Sequence, residues 1–257
     1  MTKKESSKWA ALALLLALLQ GCATGPNAHP NDPFEPFNRS VFNFNDGVDR
    51  AIIKPVATAY HDITPAPVRT GVTSFFENIA DVWSFVNNVL QAKPQAAVDS
   101  FFRVTTNTLW GVGGIFDVAS DLKIPRHSED FGRTLGYWGM TSGPYLVLPL
   151  LGPSTVRDSV GTLVDIQGGV MSQVDNVPVR NSLTGLRAVN TRSNFLGAGE
   201  ALEQAALDKY SFTRDVYLQR HRGSRDSAGG SEVEERYDLP EVVPGGDTPA
   251  APASPTP

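Results

Sequence analysis

The sequence predicts an all-α protein. Three observations carry that expectation. Val72, Phe75, Phe76, Ile79, Val82, Trp83, Val86, Val89 and Leu90 recur at helical spacing over five turns. Proline stands where a helix would start, in Thr64-Pro65, Lys93-Pro94 and Pro153-Ser154. Elsewhere too, as in Val41, Phe44, Val48 and Ile52, the body reads as helices with few strands.

Taken in order, Val41, Phe44, Val48 and Ile52 give a short amphipathic helix that should stop before Pro55. Thr64-Pro65 reads as an N-cap followed by proline in the first turn, opening the long helix through Leu90. Lys93-Pro94 should end it and begin another helix reaching Trp110, with Val98, Phe101, Phe102 and Leu109 on one side. Pro153-Ser154 should open a helix carrying Val156, Val160, Leu163 and Val164. A last helical region spans roughly residues 181–220, with a break expected near Gly197 and Gly199. Between these lies a glycine-rich stretch holding Gly111, Gly113, Gly114, Gly132, Gly136, Gly139 and Gly143. Residues 144–153 follow, with three prolines and no charge. Prolines at that density argue against a regular helix or a central strand. This stretch reads either as a buried connector or as irregular backbone at membrane depth.

The ends of the chain differ from its body. Lys3, Lys4 and Lys8 precede a ten-residue apolar run at 10–19, and Leu19-Gln20-Gly21-Cys22 follows. This is signal-peptide architecture, because the run is too short for the roughly 20 residues a spanning helix needs. Residues 1–21 therefore read as a lipoprotein signal and Cys22 as the lipidated residue. Gln20 departs from the small residue usual at its place. Cys22 is the single cysteine, so no intrachain disulfide is possible. Ala23 rather than Asp after it favours the outer membrane. Residues 22–31 form a polar tether and 32–222 the structured body. Residues 223–257 hold six prolines, seven acidic and two basic residues, a composition expected to stay disordered.

Net charge excludes one class of partner. The formal charge is −5, and removing residues 1–21 takes away Lys3, Lys4, Lys8 and Glu5, leaving 19 basic and 26 acidic residues. With no basic stripe, nucleic acid is not an expected partner. His29, His61, His127 and His221 show no metal-binding spacing, and there is neither a Walker A pattern nor a G-x-S-x-G elbow. No catalytic residue, metal or cofactor is expected.

An ordered set of motifs runs through the body. It includes Asp32-Pro33-Phe34-Glu35-Pro36-Phe37-Asn38-Arg39, Lys54-Pro55-Val56-Ala57, Leu90-Gln91-Ala92-Lys93, Glu129-Asp130-Phe131-Gly132, Gly143-Pro144-Tyr145, Arg157-Asp158 and Arg214-Asp215-Val216-Tyr217-Leu218. With these the chain resembles the MlaA or VacJ lipoproteins over almost the whole body. Ala92 stands where the family more often has glycine. The resemblance implies a ring-like bundle of amphipathic helices embedded in one leaflet around a central amphipathic channel. It implies an outer-membrane lipoprotein, anchored by lipid on the periplasmic leaflet. Its task would be to remove mislocalised phospholipid from the outer leaflet and pass it to a soluble periplasmic carrier, in association with a trimeric porin. A porin-bound scaffold without translocation is the alternative, and a phospholipase-like enzyme a third reading that the missing nucleophile motif disfavours.

Candidate residues follow from that chemistry. Phe42, Asn43, Phe44 and Asn45 alternate rings and amides, which suits a gate as well as a helix start. Asn87, Asn88 and Gln91 close an otherwise apolar helix and could line a channel or cap the helix. Arg69, Arg103, Arg133 and Arg157 are candidate phosphate contacts, because guanidinium matches phosphate oxygens, or else local ion pairs. Trp83, Trp110, Trp138 and Tyr145 suit a membrane interface or a core equally. Tyr210, Arg214, Asp215, Tyr217 and Arg220 could dock a partner.

Overall fold

The computed structural model describes residues 29–227; Cys22, the signal, most of the tether and most of the acidic tail lie outside them. The described chain is mostly helical with one small sheet. Helix α1 spans Glu35–Val48, a π-helical turn covers Asp49–Ile53, and α2 spans Lys54–Ile63. Pro55 does not end this run, as the sequence suggested. Proline lacks the N–H that would bond four residues back, and the wider π turn just before it takes up the misfit without breaking the helix. Thr64 then closes α2 in extended conformation and does not cap the next helix.

Helices α3 (Ala66–Leu90) and α4 (Pro94–Leu109) form a hairpin, packed along much of their lengths. Ala92 turns the chain between them at φ +51°, a left-handed conformation that glycine adopts more readily. After a glycine-rich loop come two short helices, α5 (Val118–Asp121) and α6 (Phe131–Tyr137). Asp117 and Asp130 cap them by accepting from the Ser120 and Arg133 amides.

The proline-rich stretch is not irregular. Strands β1 (Tyr145–Leu148) and β2 (Gly152–Thr155) pair antiparallel, with Tyr145 opposite Thr155 and Leu148 opposite Gly152. Pro153 is tolerated because each strand of a two-stranded sheet is an edge. Consequently Pro153-Ser154 belongs to β2, and helix α7 (Val156–Gly168) starts only after Thr155, whose hydroxyl caps it. The last region is three helices: α8 (Val177–Asn194), α9 (Leu196–Ala205) and α10 (Lys209–Ser227). The chain breaks at Phe195, close to the expected position near Gly197, and again at residues 206–208. Helix α10 continues past the composition change at residue 222.

Helices α6 and α7 cross with backbone almost touching. A Cβ on Gly161 would overlap the backbone nitrogen and Cα of Gly132. Gly161→Ala must therefore push α6 off α7, because backbone cannot yield as a side chain can. We expect a loss of about 1–3 kcal/mol, the usual range for overpacking. A thermal midpoint of the purified variant in detergent equal to wild type would contradict this contact.

Among the described residues, the distribution of side chains is inverted relative to a water-soluble protein. The buried hydrophobic set is small: Ala57, Phe76, Ala97, Ala119, Tyr145, Val147 and Tyr210. Buried polar and charged residues outnumber it threefold, 21 against 7, and 34 large hydrophobic residues are exposed. A soluble monomer buries such side chains, each contributing about 1.5–3 kcal/mol. No helix among the described residues is long and apolar enough to cross a membrane.

Candidate functional site: a polar interior behind an apolar surface

Helix α3 defines the interior. Ser74, Asn78, Asp81, Ser84, Asn88 and Gln91 recur every three or four residues and are all buried. Ser100, Arg103, Thr106 and Asn107 continue the polar face on α4. The apolar residues whose period predicted these helices divide: Phe76 is buried, several others are half-buried, and those toward the helix junction and along α4 face outward. Val89, Leu90, Val98, Phe101, Phe102 and Leu109 are exposed. Past α4 the exposed apolar surface continues through Trp110, Val112 and Phe116. Val112 holds φ +52°, uncommon for a β-branched residue, so this loop carries strain with its apolar groups outward.

An ion-pair network holds the hairpin to that loop. Arg103, 3% exposed, donates to Asp117 at 3.0 and 3.1 Å, to Asp81 at 3.4 Å, to Ser120 Oγ at 3.2 Å and to the Ile124 carbonyl at 2.8 Å. Arg126 donates to the other Asp81 oxygen at 2.9 Å. Burial pushes the Asp81 carboxyl above its ordinary range, while the guanidinium groups of Arg126 and Arg103 work against that. Asn107 Nδ2 donates to Asp117, and its Oδ1 accepts from the Ala119 amide.

A second group joins α3 to α6. Asn87 donates to the Trp83 carbonyl and accepts from Thr134 Oγ1 at 2.8 Å. Asn88 donates to Ser100 Oγ and the His127 carbonyl, both at 3.3 Å. Gln91 donates to Glu129 at 3.1 Å and Thr134 Oγ1 at 3.0 Å. These three side chains thus tie α3 to α4 and to the segment from His127 to Thr134. The buried oxygens Asn78 Oδ1 and Asn88 Oδ1 find no protein partner. Such orphans are rare in folded proteins.

The third group is a clamp from α1. Asn38 Nδ2 donates to the Tyr145 carbonyl at 3.1 Å and its Oδ1 accepts from the Val147 amide at 2.9 Å. Two turns later, Asn45 Nδ2 donates to the Leu148 carbonyl at 2.9 Å and its Oδ1 accepts from the Leu150 amide at 2.8 Å. The two amide side chains stand in for a missing third strand on the edge of β1. Asn38 also donates to buried Asp32, which accepts from Tyr210 Oη and from Arg214 at 3.3 Å. Tyr145, Val147 and Tyr210 form a small core with Val41, Phe42, Tyr217 and Leu218 around them.

Of the expected gate residues, Phe42 packs edge-on to Tyr210 at 5.7 Å and Asn45 holds the hairpin. Asn43 and Phe44 are exposed, Phe44 at 55%. The four arginines are engaged by protein, Arg103, Arg133 and Arg157 with carboxylates and Arg69 with a carbonyl. Arg69 donates to the His61 carbonyl across the α2–α3 turn, and Arg133 to the Ser128 carbonyl. Arg157 is buried against Asp158 at 2.7 Å, and Arg103 is the centre of its own network. A phosphate contact by Arg103 or Arg157 would require breaking these bonds. Asp158 is raised by burial, but hydrogen bonds from Arg157 and Thr155 outweigh that and hold it below the usual carboxylate range. Tyr217 Oη also donates to it at 3.0 Å. Tyr210, Arg214 and Tyr217 therefore bind α10 to the body and do not face outward for docking. Trp110 and Trp138 are exposed, Tyr145 is core, and Trp83 donates to Asp165 at 2.7 Å.

Of the polar stripe on α3, sequence reasoning gives only the end, Asn88 and Gln91, and misses Ser74, Asn78, Asp81 and Ser84. A polar period of three and four within one helix was the available signal. Among the described residues, no group of three or more histidine, cysteine or carboxylate side chains could hold a metal.

Comparison with known proteins gives consistent relationships. A family model described as MlaA lipoprotein matches residues 30–224. The intermembrane phospholipid transport system lipoprotein MlaA of Escherichia coli (strain K12) is 38% identical over 217 residues, covering 82% of this chain and 86% of that protein. The protein of the same name from Haemophilus influenzae is 32% identical over 248 residues, covering 90% of this chain and 95% of its own. A solved structure from work on the structural basis for maintenance of bacterial outer membrane lipid asymmetry superposes with a TM-score of 0.66 at 35% identity, over 76% of this chain and 98% of that one.

Proposed function

The chain belongs to the MlaA lipoprotein family, and from that membership we propose that it is an outer-membrane lipoprotein of an intermembrane phospholipid transport system. It takes mislocalised phospholipid from the outer leaflet and passes it to a soluble periplasmic carrier, beside a trimeric porin, so that lipid asymmetry is kept. The observation that carries this reading is the inversion of the molecule: polar side chains within, apolar ones without. Hydrocarbon rewards that arrangement and water does not. Helices with an apolar outer face, none of them among the described residues long and apolar enough to cross a membrane, suit a body immersed in one leaflet rather than a bundle that spans the bilayer.

Moving a phospholipid between leaflets makes and breaks no bond. The barrier is a charged headgroup in hydrocarbon, which costs several kcal/mol. A polar path through part of the bilayer lowers it. Residues of the polar interior, including Asn78 and Asn88 with their unpartnered oxygens, supply the chemistry for such a path. The ring and central channel belong to this proposal.

The test is outer-leaflet phospholipid in a strain lacking the gene, reported by an outer-membrane enzyme that modifies only surface-exposed phospholipid. We expect a rise that the wild-type gene reverses. No rise would demote the protein to a scaffold or a redundant component. Cys22→Ala should fail to complement and should leave the outer-membrane fraction, since acyl chains anchor at about 0.8 kcal/mol per buried CH₂. Retention of the variant in that fraction would disprove the lipid anchor.

A further inference from the structure

An apolar groove runs along the outer side of the α3–α4 hairpin, at the end where the two helices join. Its volume is about 760 Å³, within the range of small-molecule sites. Phe85 and Val89 form one wall, Val98, Phe101 and Phe102 the other. None of these residues belongs to the polar interior, so the groove lies on the opposite side of the hairpin from the path proposed above.

One end of the groove has a different character. Lys93 lines it there, 40% of its side chain exposed, with one bond to Glu129 Oε1 at 3.0 Å. An ammonium has three donors, so capacity remains for an anionic group. Beside it stand Tyr137, whose ring centroid is 5.9 Å from Lys93 Nζ, and Trp138, whose Nε1 donates to the Leu90 carbonyl at 3.1 Å. Both rings are about half exposed. Lysine with tyrosine and tryptophan is the composition of a membrane–water interface. Charge and amphipathic rings at one end, and unbroken hydrocarbon along the rest, match the division of a phospholipid into headgroup and chain. A protein segment seated here would meet no hydrogen-bonding partner along the groove walls.

We propose that this groove holds one acyl chain of a membrane phospholipid, with its phosphate at Lys93. The proposal rests on the membrane-embedded reading. It adds a lipid-facing site separate from the polar interior, where a phospholipid is held by its tail before or after its headgroup enters the protein.

The test uses the full-length lipidated protein in nanodiscs of phosphatidylethanolamine and phosphatidylglycerol. A small share of the phosphatidylglycerol carries a photoreactive diazirine in its acyl chain. After irradiation, the labelled peptides are mapped by mass spectrometry. We expect label on Val89, Val98 or Phe101. Val98→Trp fills the groove from an exposed wall and should cut that label several-fold while the thermal midpoint stays unchanged. Lys93→Gln should weaken labelling by the anionic lipid, with the midpoint again as the check on folding. Label spread evenly over the other apolar faces, or unchanged in Val98→Trp, would overturn the groove and leave the embedded reading standing. A protein crosslinked in the groove in place of lipid would also overturn it. Failure of the chain to associate with nanodiscs at all would overturn both.

Discussion

Replacing Arg103 by methionine is expected to destabilise the protein by about 3–5 kcal/mol, the cost of removing one partner from a buried ion pair. The guanidinium is almost wholly enclosed and serves two carboxylates, a hydroxyl and a carbonyl. Methionine fills similar space but leaves Asp81 with Arg126, and removes the buried cation that pairs with Asp117. Asp81, already pushed upward by burial, would then rise further, because one of the two charges opposing that shift is gone. A drop in thermal midpoint of more than roughly 6 °C follows from the usual scaling for a chain of this size. A smaller drop would mean that the network is not what joins α4 to the loop beyond it. The consequence reaches function, since the same loop presents Trp110, Val112 and Phe116 on the apolar surface. A loosened anchor should reduce complementation in the surface-phospholipid assay even where some folded protein remains.

Asn38→Ala should be nearly as damaging. One amide makes three buried hydrogen bonds, to Asp32, the Tyr145 carbonyl and the Val147 amide. Each group left unpaired costs about 1–3 kcal/mol. The partner position, Asn45→Ala, should cost only about 1 kcal/mol, because its contacts at Leu148 and Leu150 are closer to solvent. Hydrogen exchange separates the two. Asn38→Ala should speed exchange at the Val147 amide, and Asn45→Ala at the Leu150 amide only. Equal protection of both amides in both variants would show that the asparagines do not replace a third strand. Leu150 holds φ +62° at the hairpin turn, so releasing its amide should also free a strained residue.

Much was legible before any coordinates. The helical period of α3, the proline that opens α4 and the helix carrying Val156 and Val160 are local properties. They follow from side-chain spacing and from what proline cannot donate. So does family membership, which rests on ordered motifs along the chain. The errors were of one kind. Pro55 was read as a stop because local chemistry forbids a regular helix there, yet a π turn upstream provided another route. For residues 144–153 the prolines exclude a central strand and leave a buried connector or irregular backbone, but a two-stranded hairpin has no central strand, and this one buries Tyr145 and Val147. For Arg157 the ion-pair alternative was visible in its neighbour Asp158, whereas the partners of Arg103, Asp81 and Asp117, are brought to it only by folding.

The sequence by itself determined that α3 and α4 are amphipathic helices, because period is a property of the chain alone. Only the tertiary structure decided which face turns inward. A stripe of leucine, valine and phenylalanine is a core in water and a surface in lipid, and its spacing is the same in both. The matching stripe from Ser74 to Gln91 could be buried only because partners arrived from other segments, with Thr134 and Glu129 for Gln91 and Arg103 and Arg126 for Asp81. The clamp of Asn38 on Tyr145 and Val147 likewise crosses more than a hundred residues of chain. A buried polar group is stable only with its hydrogen bonds made, and that pairing exists nowhere until the fold closes.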